Sequence, residues 1–493
     1  TWHKHKMAFL TEAANRGSIS TGYEIENSLK FEEDNSESLW KTFSSEGTGE
    51  GKTFTISAWI KRTELGGIDI VMGVGRDVGG DNNDGAIRFN SDQFQFVNFT
   101  GNAYNVRTNA VFRDTAAWYH IMAAVDTTQA TDSNRVKLYV NGEQQTSLTG
   151  TAYPTQNYQF KWGRAEEHVI GSRPDSDATA GVAQVSQFWS GYMSDVYFID
   201  GLQLAPTDFG EYDEDSGIWK PIKASPTFGT NGFKLEFKSS GSLGADTSGN
   251  GHTFTLNNIS AADQATDTPT NNFCTLNANF TDNYTDAVAT EGGTYMPRNG
   301  QNNYASYIGT MGVTAGKWYW EFYIPSRSGT YGLIDYIGLH TIQGNGSNTA
   351  FSGIASSAFW LLHYADYYAF TNGSLTSQNT EAGLPSVSTG GVGHTYGVAF
   401  NADAGEITFY DNGSLVGNAG IDIYDLHDDM ANGIFVLPFF QVYDNNLNCN
   451  FGGYSSVAIS SPESDENGYG TFEYAPPSGY YALCTKNLAE YGG

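Results

Sequence analysis

Short runs in which apolar and polar residues alternate, each closed by a turn signal, constrain this chain more than any other feature. In "TFTISAWIKR" Phe54, Ile56, Ala58 and Ile60 fall on one side, and in "WYHIMAAVD" Tyr119, Ile121, Ala123 and Val125 do the same. "RVKLYVNGE" alternates Val136, Leu138 and Val140 before an Asn-Gly, and "SGYMSDVYFIDG" alternates Tyr192, Val196 and Phe198. A period of two belongs to a strand, whose successive side chains point to opposite faces. No convincing helical segment of 12 residues lies between these runs. Without crossover helices the strands must pair antiparallel, in sheets packed face to face.

The pattern returns in the second half. "GKWYWEFYI" sets Trp318, Trp320, Phe322 and Ile324 against Lys317, Tyr319, Glu321 and Tyr323. "TYGVAFNADAGEITFYDNGSLVG" reads as three strands joined by two tight turns, and "FVLPFFQVYDNNLNCNFGG" carries two more. The Asn-Gly turns at 141–142 and 412–413 have flanks that do not align, so they are not copies of one repeat. A chain of 493 residues exceeds one ordinary core. The expected fold is therefore all-β: two antiparallel β-sandwich (jelly-roll) domains, 25–205 and 295–493, joined by a partly ordered connector, 206–294. The connector is acidic, then rich in Pro and Gly, then polar apart from the short "FKLEF". Residues 1–24 have little apolar content and read as an N-terminal anchor, with Met7 as a natural start.

Charge removes some functions. With 54 acidic against 25 basic residues, the net charge of −29 repels phosphate backbones and anionic lipid, so nucleic-acid binding is not expected. No apolar run approaches 18 residues, so membrane insertion is not expected either. Cys274, Cys449 and Cys484 are odd in number and widely spaced, which suits neither a disulfide framework nor a CxxC metal site.

Two motifs invite chemistry and do not carry it. "GTGEGKT" (47–53) lacks the first glycine of a phosphate-binding loop, where Glu46 stands, and is followed by a strand rather than a helix. "EYDED" places Glu211, Asp213 and Asp215 at alternate positions, like the carboxylate row of a glycosidase, but beside Gly, Ser and Pro in a linker. The histidines are scattered singly. No enzyme is expected.

"FTISAWIKR", "WYHIMAAVD", "VKLYVNGE" and "WSGYMSDVYFIDGLQLAPTDFGEY", in that order, resemble a laminin-G-like, concanavalin-A-like jelly roll. "GKWYWEFYI", "YGVAFNADAGEITFYDNGSLVG" and "FFQVYDNNLNCNFGG" resemble a SPRY domain. The pairing, with "FGEYDEDSGIWKP", "TDTPTNNFCTLN" and the closing "YAPPSGYYALCTKNLAEY", is similar to surface-appendage proteins of tailed bacteriophages, marine ones in particular. The resemblance implies a virion structural protein of a tail fibre or spike, on the virion surface and homo-oligomeric. Its partners would be other virion proteins and a host-surface polysaccharide or protein. A purely architectural decoration protein and a polysaccharide-degrading tail spike are the alternatives.

The same resemblance nominates sites. Laminin-G-like domains often bind Ca²⁺ through loop oxygens, which points to Asp77, Asp81 and Asp84 in "GRDVGGDNNDGAIRF"; a metal-free Asp/Asn/Gly-rich turn is the plainer reading. No other cofactor is implied. In SPRY domains the region of "FWLLHYADYYAF" lies near a loop-rimmed binding surface, so Trp360, Tyr364, Tyr367 and Tyr368 are candidate stacking platforms for sugars, with core packing as the competing role.

Overall fold

The computed structural model describes residues 22–75, 84–98, 104–174, 187–280, 288–297, 305–327, 334–341, 358–363, 366–371, 374–380, 392–423, 425–442 and 445–492. The fold is all-β, and the chain divides into two compact units between Thr270 and Asn271.

In the first unit Thr53–Arg62 sits mid-sheet. The order is Glu143–Gln144, Val136–Val140, Trp118–Asp126, Thr53–Arg62, Gly191–Asp200, Ser28–Phe31, Gln264–Ala265, with Phe233–Leu235 also paired to Gly191–Asp200. A second sheet runs Leu148–Ala152, Asn105–Val111, Gln93–Asn98, Gly85–Asn90, Ile68–Val74, Glu167–Ile170, Ser38–Thr42, Thr255–Asn257. Alternation sends Phe54, Ile56, Ala58 and Ile60 of one sheet and Ile87, Phe89, Phe94 and Phe96 of the other into one core. Ring contacts lock it: Phe54 meets Phe160 edge-on at 5.5 Å, and Phe96 stacks on Tyr104 at 4.9 Å.

The first sheet is covered on its other face as well. Met122, Ala124, Tyr197 and Ile199 pack against Phe209, with Leu204, Ala224 and Phe228 alongside. Gly210–Tyr212 and Trp219–Pro221 form a two-stranded ribbon, from which Trp219 stacks on His120 with ring centroids 5.9 Å apart. Burial on both faces explains why "IMAAVD" reads as almost continuously apolar.

These contacts revise the expected connector. Residues 206–228 cap a sheet, and Phe233–Leu235, Thr255–Asn257 and Gln264–Ala265 complete both sheets of the first unit. The segment is poor in apolar residues, but Phe233, Leu235, Phe237, Leu243, Phe254 and Ile259 are all buried in the core. Residues from 271 onward belong to the second unit: Phe273 bridges Cys484, and Tyr295–Met296 pairs with Leu447 and Asn448. Of the expected anchor 1–24, residues 1–21 lie outside the described residues.

The second unit has one sheet in the order Tyr295–Met296, Asn445–Asn450, Lys317–Arg327, Thr395–Asn401, Glu406–Asp411, Ser414–Asp422. The other runs Ala305–Ile308, Val436–Val442, Ile334–Thr341, Ala358–His363, Asp366–Thr371, Ser374–Thr380. Trp318, Trp320, Phe322 and Ile324 enter the core, while Tyr319, on the opposite face, is buried against Phe472, Ala482 and Cys484. Among the described residues, two short helices, Asp425–Ala431 and Thr485–Tyr491, accompany the sheets.

The Asn-Gly pairs at 141–142 and 412–413 make two-residue hairpins, Val140 facing Glu143 and Asp411 facing Ser414. Asn141 and Gly142 have φ of 49° and 81°, and Asn412 and Gly413 have 46° and 76°. Positive φ at both central positions is the type I′ turn, whose twist matches that of the strands it joins. The three cysteines are buried and unlinked.

Candidate functional site

The nominated aromatic residues fall on one hairpin of the second unit. Trp360 is the direct cross-strand partner of Tyr368, and Tyr367 is the partner of Leu361, one register position away. Tyr364 lies outside the described residues. Asp77 and Asp81 also lie outside them, while Asp84 is buried, at 8% exposure, just before the strand Gly85–Asn90. Among the described residues, no group of three or more His, Cys, Asp or Glu is placed to hold a metal ion.

A different constellation emerges on the first unit. Strands Gly85–Asn90, Gln93–Asn98 and Asn105–Val111 send Ile87, Phe89, Phe94, Phe96 and Val106 inward. The alternate positions then form a row across the opposite face, on which Gln95 and Ala86 are buried. Arg88 pairs with Gln95, and Gln95 pairs with Arg107. One step along, Ala86, Val97 and Asn105 make the parallel row. Arg88 Nε donates to Gln95 Oε1 at 2.8 Å, and Gln95 Nε2 donates to Asn105 Oδ1 at 2.7 Å. Arg107 Nη2 donates to the Asn90 carbonyl at 2.8 Å, and its Nε is buried with no hydrogen-bond partner among the described residues.

Two glycines make room for this ladder. Gly150 is the cross-strand partner of Arg107, and a Cβ there would come within 2.8 Å of Asn105 Oδ1 and 3.1 Å of Arg107 Cβ. Gly73 pairs with Ala86, so it shares the face of Arg88; a Cβ on Gly73 would lie 2.7 Å from the Cα of Arg173. Arg173 is thus brought onto the same face. Arg88, Arg107 and Arg173 are all half-buried. Burial, and then the charges of Arg173 and Arg107, lower the Arg88 pKa to about 10. A signal for the ladder was present in "AIRFNSDQFQF" and "NVRTN", where the residues set between core-facing ones are Arg, Gln and Arg.

The motifs set aside earlier acquire structural roles. In the 47–53 loop, the N–H of Thr48 (2.6 Å) and of Gly49 (2.8 Å) donate to the Asp200 carboxylate, which also accepts from Asn231 N at 2.9 Å. The loop does wrap an anion, but the anion is the chain's own. "EYDED" belongs to the ordered ribbon rather than to a solvated linker. Asp213 accepts from the N–H groups of Asp215 and Ser216, from the Ser216 hydroxyl and from Lys220 Nζ, and its carboxyl is held down at about 2.

Other titratable groups are committed to the fold. Burial drives the His120 and His168 imidazoles down to about 3. His120 bonds Ser57 Oγ and the Trp219 indole; His168 Nε2 accepts from Gly163 N. In the second unit Glu321 accepts from Glu473 N, Tyr474 N, Asn450 Nδ2 and the Tyr319 hydroxyl, yet burial outweighs these donors and pushes it up to about 7. It borders a small cavity of about 20 Å³, lined also by Tyr323, Thr395 and Glu473, which is space for water rather than for a sugar.

Comparison with solved structures finds a SAP-like pentraxin from Limulus polyphemus at 16% identity and a TM-score of 0.27, covering 37% of this chain and 80% of that one. The SPRY domain of human HERC1 is similar at 16% identity and a TM-score of 0.25, covering 34% and 92%. Domains LG4-5 of the mouse laminin alpha1 chain are similar at 9% identity and a TM-score of 0.29, covering 94% and 88%. No curated protein sequence matches the chain. Residues 35–202, within the first sandwich, match the laminin-G family described as the concanavalin A-like lectin/glucanases superfamily.

Proposed function

We propose that the chain is a surface component of a tailed-phage virion, a tail-fibre or spike subunit, that holds a host-surface glycan by binding rather than by cleavage. What supports the glycan reading is the half-buried Arg88, Arg107 and Asn105, held in register by the buried Gln95, on a sheet of a concanavalin-A-like domain. Amide and guanidinium groups on a packed sheet are pre-organised, so less ordering entropy opposes ligand capture. The virion reading is supported by the sequence resemblance of the paired sandwiches and their linkers to phage appendage proteins. On such an appendage the chain would be homo-oligomeric, beside other virion proteins. Weak single-site contacts would then multiply through repeated copies.

The test is a glycan array and intact host cells probed with the purified full chain, with and without EDTA. The expected result is saturable binding to a defined glycan set and to cells. Binding to neither would overturn the adhesin reading in favour of capsid or fibre decoration. Release of reducing ends from a bound polysaccharide would overturn it in favour of a degrading spike. Loss of binding in EDTA would assign a cation to the site.

A further inference from the structure

We infer that the first unit fastens its own ends covalently, by an amide between Lys30 Nζ and Asp263 Cγ that forms within the folded chain without an enzyme. Lys30 lies in the strand Ser28–Phe31, whose Leu29 and Phe31 enter the core, so its own side chain leaves by the opposite face. Ser28 and Leu29 pair with Ala265 and Gln264, and one further step along that register sets Lys30 against Asp263. There Nζ lies 3.0 Å from Asp263 Oδ1 and 2.9 Å from Glu37 Oε1. Lys30 is 1% exposed, Glu37 2% and Asp263 7%, so bulk water is kept from all three.

The two carboxyls are prepared for different parts. Asp263 Oδ2 accepts from the Ser260 N–H at 2.8 Å and from the Ser260 hydroxyl at 3.1 Å, because Ser260 caps the short turn Ala261–Asp263. An amine attacking Cγ drives negative charge onto Oδ2, where two donors already point. Glu37 Oε1 accepts from Lys30 Nζ and from Asn35 Nδ2 at 3.1 Å, while its Oε2 is buried with no hydrogen-bond partner among the described residues. Burial holds this carboxyl up at about 7, which suits a group that takes a proton from an amine and hands it to a carboxylate. The step balances. Glu37 passes one proton from the Lys30 ammonium to Asp263 Oδ1, and the freed nitrogen pair forms the N–Cγ bond as the C=O pair moves to Oδ2. Glu37 then passes a second proton from the nitrogen to Oδ1, the Cγ–Oδ1 bond breaks, water leaves and the C=O re-forms. Fixed contact replaces a chance encounter, and a buried cation and carboxylate, costly to desolvate, become one neutral amide. The bond ties a strand near the start of the unit Ser20–Thr270 to the strand near its end, so tension on the two ends no longer peels Ser28–Phe31 from its neighbour.

The experiment is mass spectrometry of the unmutated full chain, intact in denaturant and then as a proteolytic digest. The expected mass is that of the sequence less one water molecule, and the expected digest contains a branched peptide joining Lys30 to Asp263. Lys30→Arg and Asp263→Ala are each expected to restore the full mass. Glu37→Gln is expected to cut the linked fraction about tenfold or more at equal incubation time, with folding of each variant checked by thermal melting. A full-mass chain whose Lys30 amine is open to acetylation after unfolding overturns the inference, and that result needs no variant to fold. Loss of water without a branched peptide marks a cyclic imide and overturns it equally. A branch from Lys30 to Glu37, or from Lys61 to Asp267, a second buried pair at 2.7 Å, overturns the placement. Full linkage in folded Glu37→Gln overturns the proton relay and leaves the amide standing.

Discussion

Asp200 shows how a residue can look like part of a binding motif and serve the fold instead. Its carboxylate gathers backbone N–H groups from Thr48, Gly49 and Asn231 and so ties the Gly-rich loop to the sheet. Replacing it with Ala orphans these donors and is expected to lower unfolding free energy by about 1–3 kcal/mol, measured by urea denaturation. Buried carboxyls set the pH response. Burial pushes Glu37 up to about 7, and burial with the charge of Glu32 pushes Glu64 up to about 8. The folded chain thus holds protons that the unfolded chain releases near its ordinary carboxyl value, so stability is full below about 4.5 and is lost as pH rises through about 7–8. His120 and His168 act the other way: depressed to about 3, they lose stability as pH falls below about 6.5. Melting temperature is expected to peak near pH 5–6, and Glu37→Gln, whose Lys30 partner keeps Asp263, to flatten part of the alkaline decline. An optimum above pH 8 would contradict this. None of these burials was legible in the sequence, because each depends on partners more than a hundred residues away or on elements read there as loops.

Among elements, the alternating strands were legible and the covers were not. Period-two patterning in "TFTISAWIKR" and "GKWYWEFYI" assigns faces that the cores confirm. The outer ladder was missed because a lone Arg between two apolar residues looks like ordinary solvent-side alternation; only register shows that Arg88, Gln95 and Arg107 are neighbours. The ribbon 210–221 was missed because its acidic, Gly-containing composition resembles a linker. Its anchor is Trp219, 7% exposed, whose indole N–H donates to His120 Nδ1 at 3.1 Å. Trp219→Ala is expected to cost about 3–5 kcal/mol in unfolding free energy. The hairpin beneath it gives a paired test. Gly142 and Gly433 have φ of 81° and 78°, but a Cβ at Gly142 would come within 2.5 Å of the Trp219 ring, whereas at Gly433 it would meet nothing within 4 Å. Gly433→Ala is expected to cost about 1–2 kcal/mol from backbone strain alone, and Gly142→Ala measurably more. Equal costs would show that the ribbon does not press on the turn.

For the molecule as a whole, the count of two β units was readable from length and pattern, but the boundary was not. A segment so polar gives no sign that Phe233, Leu235, Phe254 and Ile259 enter the first core. A fragment ending at residue 205 therefore lacks the ribbon and the three strands that complete the two sheets, and is expected to be insoluble or to lack near-UV circular dichroism, whereas one spanning 20–270 is expected to fold. Comparable folding of both fragments would contradict the sheet completion seen here. Glycan capture by the Arg88–Arg107 face of the first unit remains the central claim, and a crystal structure of the full chain with a glycan that it binds on the array tests it most directly. The account predicts sugar density beside Arg88, Asn105 and Arg107. Density at the Trp360–Tyr368 hairpin instead, with the ladder bare, would contradict it.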